Sequence, residues 1–283
     1  MKILDGKAVS QKILARINAN LKSSAKNLKL DIVLVGDDPA SHQYAQMKKK
    51  RAASVGIDVQ IHEFATTASS QEIITLIKLL NKDPLVTGIM VQLPLPQHLD
   101  TRAILNAIDP AKDADGLTST NLGLLFQRDP DAIAPATAAG VMLLLNEYGI
   151  KLSGKNAVII GRGVEVGLPL VALFMAANAT VTLCHSYTQN LMGITKKADI
   201  LISAVGKSKL ITRNHVKKGA IVIDIGLSPD PDTGKLVGDI DFESVASRIS
   251  YITPVPGGIG PMTIATLLSN TWLIFQRNRS KTS

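Results

Sequence analysis

The chain of 283 residues is poor in cysteine and in aromatic residues: Cys184 is its one cysteine, and aromatics make up 4% of it. A single cysteine excludes an internal disulfide framework and is typical of a reducing compartment. With so few aromatics, no stacking pattern and no zinc knuckle are visible, which argues against nucleic-acid binding. The most apolar window, LPLVALFMAANATVTLC, is interrupted by Pro169 and Asn178 and is too short to cross a bilayer comfortably. We therefore expect neither a nucleic-acid partner nor a membrane.

The sequence also lacks a segment typical of secretion or of metal binding. The amino-terminal stretch MKILDGKAVSQKILARI mixes charge into its apolar residues and does not resemble a signal peptide, so we expect a cytoplasmic protein. The 5 histidines are scattered without ligand spacing, so we expect no metal site. The net charge of +8 favours a small acidic ligand. The one dense basic run, KKKR at 48–51, is typical of a solvated helix face.

What is present is an alternation of strands and helices. The first half predicts strands at LDIVLVG, DVQIHEF and TGIMVQL with helices between them, and the second half predicts strands at NAVII, TVTLC, DILISAV, AIVIDIG and YITPV. A segment rich in Pro, Asp and Thr connects the halves. We predict an α/β fold of two α/β domains flanking a cleft, over residues 1–120 and 137–261. A C-terminal helix at 262–283 would pack back on the first domain.

Three glycines, Gly161, Gly163 and Gly167, separate the predicted strand NAVII from an apolar stretch with helical character. The first permits a tight turn, the second lets the backbone approach a pyrophosphate, and the third allows the helix to pack closely on the strand. The helix amino end then presents N–H groups to the anion. An ordinary turn is the alternative, and the flanking strands and helix favour the phosphate site.

The end of the following strand indicates which dinucleotide binds. NAD-specific domains have an acidic residue there to bind the ribose hydroxyls, but TVTLC runs into HSYT with no Asp or Glu. Ser186 can donate to a 2′-phosphate, and Arg162 can pair with it. The sequence therefore predicts a Rossmann-type domain that binds NADP. We assign no role to Glu165 and expect it to face solvent.

Four short motifs favour a substrate site. In YAQMK, Tyr44 and Lys48 are four residues apart on a predicted helix and share one face, which suits a flat ligand that is stacked and activated at one atom. An ordinary amphipathic helix is the alternative. The prolines of VQLPLPQ would fix Gln92. KDADG adds Asp113 and Asp115, although such clusters are usually turns. The glycines and prolines of TPVPGGIGPMT suggest a ligand wall.

Together these motifs resemble the bifunctional methylenetetrahydrofolate dehydrogenase/cyclohydrolase family. The resemblance runs almost from end to end, through VGDDPAS, YAQMK, VQLPLP, KDADG, PATAAG, the glycine loop with CHSYT, ADILISAVGK, GAIVIDIG, LVGDIDF and TPVPGGIGPMT. It implies NADP-dependent oxidation of 5,10-methylenetetrahydrofolate to the methenyl form, followed by hydrolysis to 10-formyltetrahydrofolate. It also implies tetrahydrofolate derivatives as small-molecule substrates and a homodimer.

The resemblance assigns roles to individual residues. Lys48 would be the catalytic lysine of the hydrolytic step, Gln92 would orient it, Tyr44 would stack on the folate and Asp115 would pair with the pterin N–H groups. A lysine desolvated in a cleft can have a lowered pKa and move protons near neutral pH. The further substrate-binding residues would be Val91, Leu93, Pro256, Gly257, Gly258, Gly260, Pro261 and Thr263. The cofactor-binding residues would be Gly161, Arg162, Gly163, Ser186 and Leu227.

Three positions depart from the family's usual motifs. GRG stands where GRS is common, which removes a hydroxyl from the 2′-phosphate site at Gly163; PATAAG replaces PCTP, and TSTN replaces HPxN. Two alternatives stay open. Another NADP oxidoreductase could share the second domain, but it would have no use for Tyr44 and Lys48. A binding protein without the chemistry would not need Lys48, Gln92 and Asp115.

Overall fold

The computed structural model describes residues 1–24, 28–231 and 233–280. It divides into two compact units, each made of two chain segments. The six-stranded unit comprises Met1–Ser10 and Thr137–Thr263, and the three-stranded unit comprises Gln11–Ala136 and Ile264–Ser283. The first ten residues thus belong to the unit that holds the second sheet, whereas the sequence-based boundaries place them in the first domain.

The three-stranded unit is a parallel sheet with helices on both faces. Its sheet has the order β3-β2-β4. Its elements are most of α1 (Gly6–Ser24), β2 (Leu28–Val35), α2 (Pro39–Ala53), β3 (Ile57–Phe64), α3 (Ser70–Lys82), β4 (Gly88–Val91), α4 (Thr101–Asn106), α5 (Ser119–Gln127), and α10 (Ile259–Ser280) from residue 264 onward.

Strand β2 is buried on both faces of this sheet, as expected for a central parallel strand. Leu28, Leu30 and Ile32 pack in one core with residues of α1 and α10, such as Leu268. The alternate residues, such as Val33, pack in a second core with α3 and α4. The prediction that the C-terminal helix packs on the first domain is confirmed.

Local sequence sets where α2 and α3 begin. Asp38 caps α2 by accepting a hydrogen bond from the Ser41 N–H at 2.9 Å, and Pro39 follows in the first turn. Ser69 and Glu72 form a capping box at the start of α3. These two caps fix the start of α2 and α3 on the sheet.

The six-stranded unit is built around a parallel sheet with the order β1-β11-β8-β7-β5-β6. Its main elements are β1 (Lys2–Ile3), α6 (Ala136–Glu147), β5 (Asn156–Ile160), α7 (Gly167–Ala176), β6 (Thr180–Cys184), α8 (Leu191–Thr195), β7 (Ile200–Ser203), β8 (Ile221–Asp224), β11 (Tyr251–Ile252) and the start of α10. A short hairpin of β9 (Ser228–Pro229) and β10 (Leu236–Val237) precedes α9 (Phe242–Val245), and a 3-10 turn covers Arg213–His215.

The strand order of this sheet contains a switch point beside β5. From β5 the chain goes to β6 on one side and then returns to β7 on the other. In open parallel sheets, ligands bind outside the carboxyl ends of the strands where the order reverses. The loops after β5 and β7 therefore form the expected ligand edge of this unit, and the predicted α/β fold with a Rossmann-type second domain is confirmed.

Neither β1 nor α5 was predicted from the sequence. β1 pairs with β11 in parallel, although it is only two residues long and has no periodicity of its own. Helix α5 lies inside the segment that composition assigns to a connection. It forms because Thr118 accepts a hydrogen bond from the Asn121 N–H at 3.2 Å and caps the helix.

Candidate active site

In the three-stranded unit, Lys48 lies on α2 and points to the loop after β4. Its Nζ donates a hydrogen bond to Oε1 of Gln92 at 2.7 Å, and the two residues are only 7% and 8% exposed. The neighbours Lys49 and Lys50 are exposed on the same helix. Lys48 is thus the buried lysine of the KKKR run, and the side-chain amide oxygen of Gln92 accepts a hydrogen bond from its ammonium.

Gln92 is held at both ends. Its backbone N–H donates to the Val33 carbonyl at 2.8 Å, which continues the pairing of β4 with β2. Its side-chain Nε2 donates to the Leu93 carbonyl at 2.7 Å, so Oε1 faces Lys48. Val91, the last residue of β4, is buried, and Leu93 is half-buried. The structure therefore fixes the acceptor that orients the lysine.

Asp113 and Asp115 have different environments. Asp113 is 1% exposed and its carboxylate accepts hydrogen bonds from the N–H groups of Gly116 and Thr118, both at 2.8 Å. Asn121 Nδ2 also donates to it, at 3.0 Å. These bonds make Asp113 a structural residue that holds the turn, while Asp115 is half-buried in that turn. Asn121 was missed as a supporting residue, although it is the last residue of TSTN.

Tyr44 lies one helical turn before Lys48 on α2 and is 37% exposed. A tyrosine that packed in the core would be buried, so its ring retains a surface on which a flat ligand could stack. The predicted face shared by Tyr44 and Lys48 is thus present in the geometry of α2. Its use in substrate binding stays a prediction.

In the six-stranded unit, the glycine loop after β5 requires its glycines at two positions. Gly161 has a φ of 111°, and a Cβ there would overlap the carbonyl oxygen of Ala204. A Cβ on Gly167, the first residue of α7, would overlap the carbonyl oxygen of Gly161. Gly163 has open space around it. Val166, at the N-cap of α7, makes no side-chain cap hydrogen bond among the described residues.

These features fit a dinucleotide. Val166 at the N-cap offers no side-chain acceptor, the Leu168 N–H of the first turn donates to the Gly163 carbonyl at 3.1 Å, and Pro169 has no N–H. An anion at this end of α7 would therefore be held by the Gly167 N–H and by N–H groups of the glycine loop. A Cβ at Gly161 or Gly167 would push the loop out of the shape that the backbone now has. The residues present are therefore compatible with a bound phosphate, and the use of this loop as a phosphate site stays a prediction.

Arg162 and Ser186 lie on exposed turns at this edge. The Arg162 guanidinium lies over the ring of Tyr187, 5.8 Å from its centroid. Ser186 is exposed in the turn after β6, which a hydrogen bond from the Thr188 N–H to the His185 carbonyl closes at 2.9 Å. Tyr187 was missed as a residue that supports Arg162. Glu165 is exposed, as expected, and Leu227 is 39% exposed after β8.

The segment 256–263 forms the start of α10 and the turn before it. Gly257 has a φ of 109° and accepts a hydrogen bond from the Lys7 N–H at 3.0 Å. A Cβ on Gly258 would press against the Pro254 carbonyl. Gly260 is exposed, Pro261 lies in the first turn of α10, and the Thr263 hydroxyl lies 3.1 Å from that of Thr137. Pro256 is exposed as well.

Within the described residues, no group of three or more His, Cys, Asp or Glu side chains is placed to hold a metal ion. No helix in the described part of the chain is long and apolar enough to span a bilayer.

One parallel sheet has a glycine loop at its switch point, followed by a helix without a side-chain cap, and the other sheet has a buried lysine beside it. Together these features define a two-domain α/β enzyme with a dinucleotide-binding domain. Two family models match this chain: "Tetrahydrofolate dehydrogenase/cyclohydrolase, catalytic domain" over residues 4–115, and "Tetrahydrofolate dehydrogenase/cyclohydrolase, NAD(P)-binding domain" over residues 135–279. The chain belongs to the tetrahydrofolate dehydrogenase/cyclohydrolase family.

Similar proteins support the same assignment. The bifunctional protein FolD of Nitratiruptor sp. is 51% identical over 275 residues, which cover 96% of each chain. The crystal structure of FolD from Campylobacter jejuni is 43% identical, with a TM-score of 0.95 over 98% of this chain and 99% of that one. A FolD structure from Trypanosoma brucei, complexed with NADP cofactor and inhibitor, is 37% identical, with a TM-score of 0.93 over 98% and 97%. The predicted family and enzyme class are confirmed.

Proposed function

We propose that this protein oxidises 5,10-methylenetetrahydrofolate to the methenyl form with NADP and then hydrolyses the methenyl form to 10-formyltetrahydrofolate. The observation that carries the proposal is the buried hydrogen bond of 2.7 Å from Lys48 to Gln92. This bond holds Nζ of a buried lysine in one direction, and a group that moves protons must lie within hydrogen-bond reach of the atoms between which it moves them. The family and the NADP complex of the Trypanosoma brucei relative support the cofactor.

In the hydrolytic step, water adds to the methenyl carbon, the bond from that carbon to one folate nitrogen breaks, and one proton is released overall. The proposed role of Lys48 is to move protons between the attacking water and that nitrogen. Gln92 holds Nζ in one direction, and Leu93 holds Gln92 in turn through its carbonyl. Tyr44 would stack on the folate, and Asp115 would accept hydrogen bonds from the pterin N–H groups.

In the oxidation step, the lone pair of a substrate nitrogen drives the hydride out, so no protein acid or base is needed. NADP, when bound, supplies the hydride acceptor. The task of the chain is therefore alignment. Gly161, Gly163 and the amino end of α7 would hold the phosphates, Arg162 and Ser186 would hold the 2′-phosphate, and Leu227 would line the cofactor site.

An assay with purified protein tests both activities. We expect methenyl-folate absorbance to appear with NADP, and to appear more slowly with NAD. We expect Lys48→Ala to abolish most methenyl hydrolysis, while Lys50→Ala, an exposed lysine on the same helix, retains it. No cofactor-dependent appearance of the methenyl species would rule out the dehydrogenase, and near-normal hydrolysis by Lys48→Ala would remove Lys48 from its role.

We further propose a homodimer that pairs through β3. This strand of 8 residues lies at the edge of its sheet and pairs with β2 alone among the described strands. An edge strand can pair with a strand of another chain through its backbone N–H and C=O groups. In a two-fold symmetric dimer, β3 of one subunit can pair with β3 of the other. Light scattering after gel filtration should give twice the mass of the 30.1 kDa chain; a monomer at micromolar concentration would contradict the proposal.

A further inference from the structure

Asp239 is a fully buried carboxylate outside the predicted site, with 0% exposure. It lies between β10 and α9 and accepts three hydrogen bonds from the end of β7 and the turn that follows. Oδ2 accepts from the Ser203 hydroxyl and from the Val205 N–H, both at 2.8 Å. Oδ1 accepts from the Lys207 N–H, also at 2.8 Å. The carboxylate therefore fixes the turn at residues 204–207 through its backbone.

This turn is the neighbour of the glycine loop. The Ala204 N–H donates to the Ile160 carbonyl at 2.9 Å, so β5 and β7 stay paired up to the point where both loops leave the sheet. The Ala204 carbonyl and the Val205 side chain occupy the space that a Cβ on Gly161 would need. Because the switch point of the sheet lies between β5 and β7, the two loops form one ligand edge.

A second buried carboxylate holds Asp239 itself. Asp224 ends β8 and is 3% exposed. It accepts hydrogen bonds from the N–H groups of Asp239 at 3.0 Å and Ile240 at 2.9 Å. The two segments also pack closely at two glycines. A Cβ on Gly226, which follows Asp224, would overlap the Asp239 carboxylate, and a Cβ on Gly238, which precedes Asp239, would overlap the Asp224 carboxylate. The segment that carries Asp239 is thereby fixed to the carboxyl end of β8.

We propose that Asp239 is a positioning residue for the dinucleotide, because it holds the turn after β7 against the glycine loop in the shape that binds NADP. This inference rests on the proposed NADP-dependent activity. A carboxylate suits the position because both of its oxygens accept, and all three groups that face it are donors. Burial makes the three bonds costly to lose, so the turn has one geometry before the cofactor arrives.

The test is calorimetric titration of NADP into the wild type, Asp239→Asn and Asp199→Asn. Asparagine has nearly the same shape as aspartate, but its amide nitrogen must face at least one donor and lose that hydrogen bond. Asp199 is the matched control, since it accepts from the Asn156 N–H at 2.9 Å and from Lys217 Nζ at 2.6 Å at the opposite end of the sheet. We expect the NADP dissociation constant to rise by about tenfold or more in Asp239→Asn and to stay unchanged in Asp199→Asn.

Cofactor-free hydrolysis of the methenyl substrate is the second measurement, and it should be normal in Asp239→Asn because Lys48 lies in the other unit. If Asp239→Asn does not fold, Ser203→Ala removes one of the three donors and should weaken NADP binding by about two- to fivefold. A folded Asp239→Asn or Ser203→Ala with wild-type affinity would overturn the inference, as would an equal loss in Asp199→Asn. A wild type that does not bind NADP would instead refute the proposed function.

Discussion

Replacing Gln92 by methionine tests the orientation of Lys48 most directly. Methionine has a similar length and volume but offers Nζ no good acceptor. The lost hydrogen bond is 2.7 Å long and involves an ammonium that is 7% exposed, so water can replace it only in part. Hydrogen bonds to charged groups are worth about 1.5 to 3 kcal/mol, which corresponds to about 10- to 150-fold in rate if Nζ must be held for proton transfer.

The assay is the decay of methenyl-folate absorbance without cofactor. We expect kcat for hydrolysis to fall by about 10- to 150-fold in Gln92→Met, and the NADP-dependent oxidation to fall less because it needs no acid or base. Since Gln92 acts through Lys48 in this account, the double variant Gln92→Met, Lys48→Met should be no slower than Lys48→Met alone. Gln71→Met, an exposed glutamine on α3, is the control for the substitution itself.

Two results would contradict an orienting role of Gln92. One is a kcat for hydrolysis within about twofold of the wild type in folded Gln92→Met, which would mean that Nζ is oriented by other groups. The other is a double variant whose loss equals the product of the two single losses. Independent effects of that kind would mean that Gln92 contacts the substrate or holds the fold, and does not act through the lysine.

Further predictions concern the six-stranded unit. Arg162→Ala should raise KM for NADP by about tenfold and leave KM for NAD unchanged, since only NADP carries the 2′-phosphate; equal effects on both cofactors would contradict this assignment. Gly161→Ala should prevent NADP binding in calorimetry, because the φ of 111° and the overlap with Ala204 force the loop to move. Burial, with a smaller contribution from Asp239, raises the pKa of Asp224 from 3.8 to about 7, although backbone N–H bonds oppose the shift. The folded state then holds a proton that the unfolded chain has lost, so stability from this group is lost as pH rises from 3.8 toward 7. The unfolding free energy of the wild type relative to Asp224→Asn should fall by about 2.5 kcal/mol from about pH 5 to about pH 8, and a difference that stays constant with pH in urea unfolding would contradict this prediction.

The sequence predicted every strand of the two parallel sheets except β1, because their apolar runs are short, rich in β-branched residues and bounded by turns. The helices of the first half carry caps such as Asp38 and Ser69 that can be identified by their neighbours alone. β1 could not be predicted, because a strand of two residues is too short to show an alternation of apolar and polar side chains. Its partner strand β11 also lies about 250 residues away in the chain. Helix α5 was not predicted because it lies in a segment rich in Pro, Asp and Thr, a composition that is also typical of loops.

For the site, local patterns identified residues whose chemistry is evident from type and spacing: the three glycines, the arginine between two of them, and a tyrosine and a lysine on one helix face. They did not identify Tyr187, Asn121, Asp224 or Asp239, because the contacts of these residues come from segments distant in sequence.

Residue type, short spacings and motif order were enough to identify the strands from β2 onward in the two parallel sheets, the family, and the chemistry of most candidate residues. Only the packing of the folded chain shows which lysine of KKKR is buried, which side chain accepts its hydrogen bond, and which carboxylates hold a loop. Asp113 and Asp115 illustrate the difference: they are two residues apart and chemically identical, yet only folding surrounds the first with donors and leaves the second half-buried. Burial and long-range hydrogen bonding depend on the packing of distant segments, which residue type and spacing do not report.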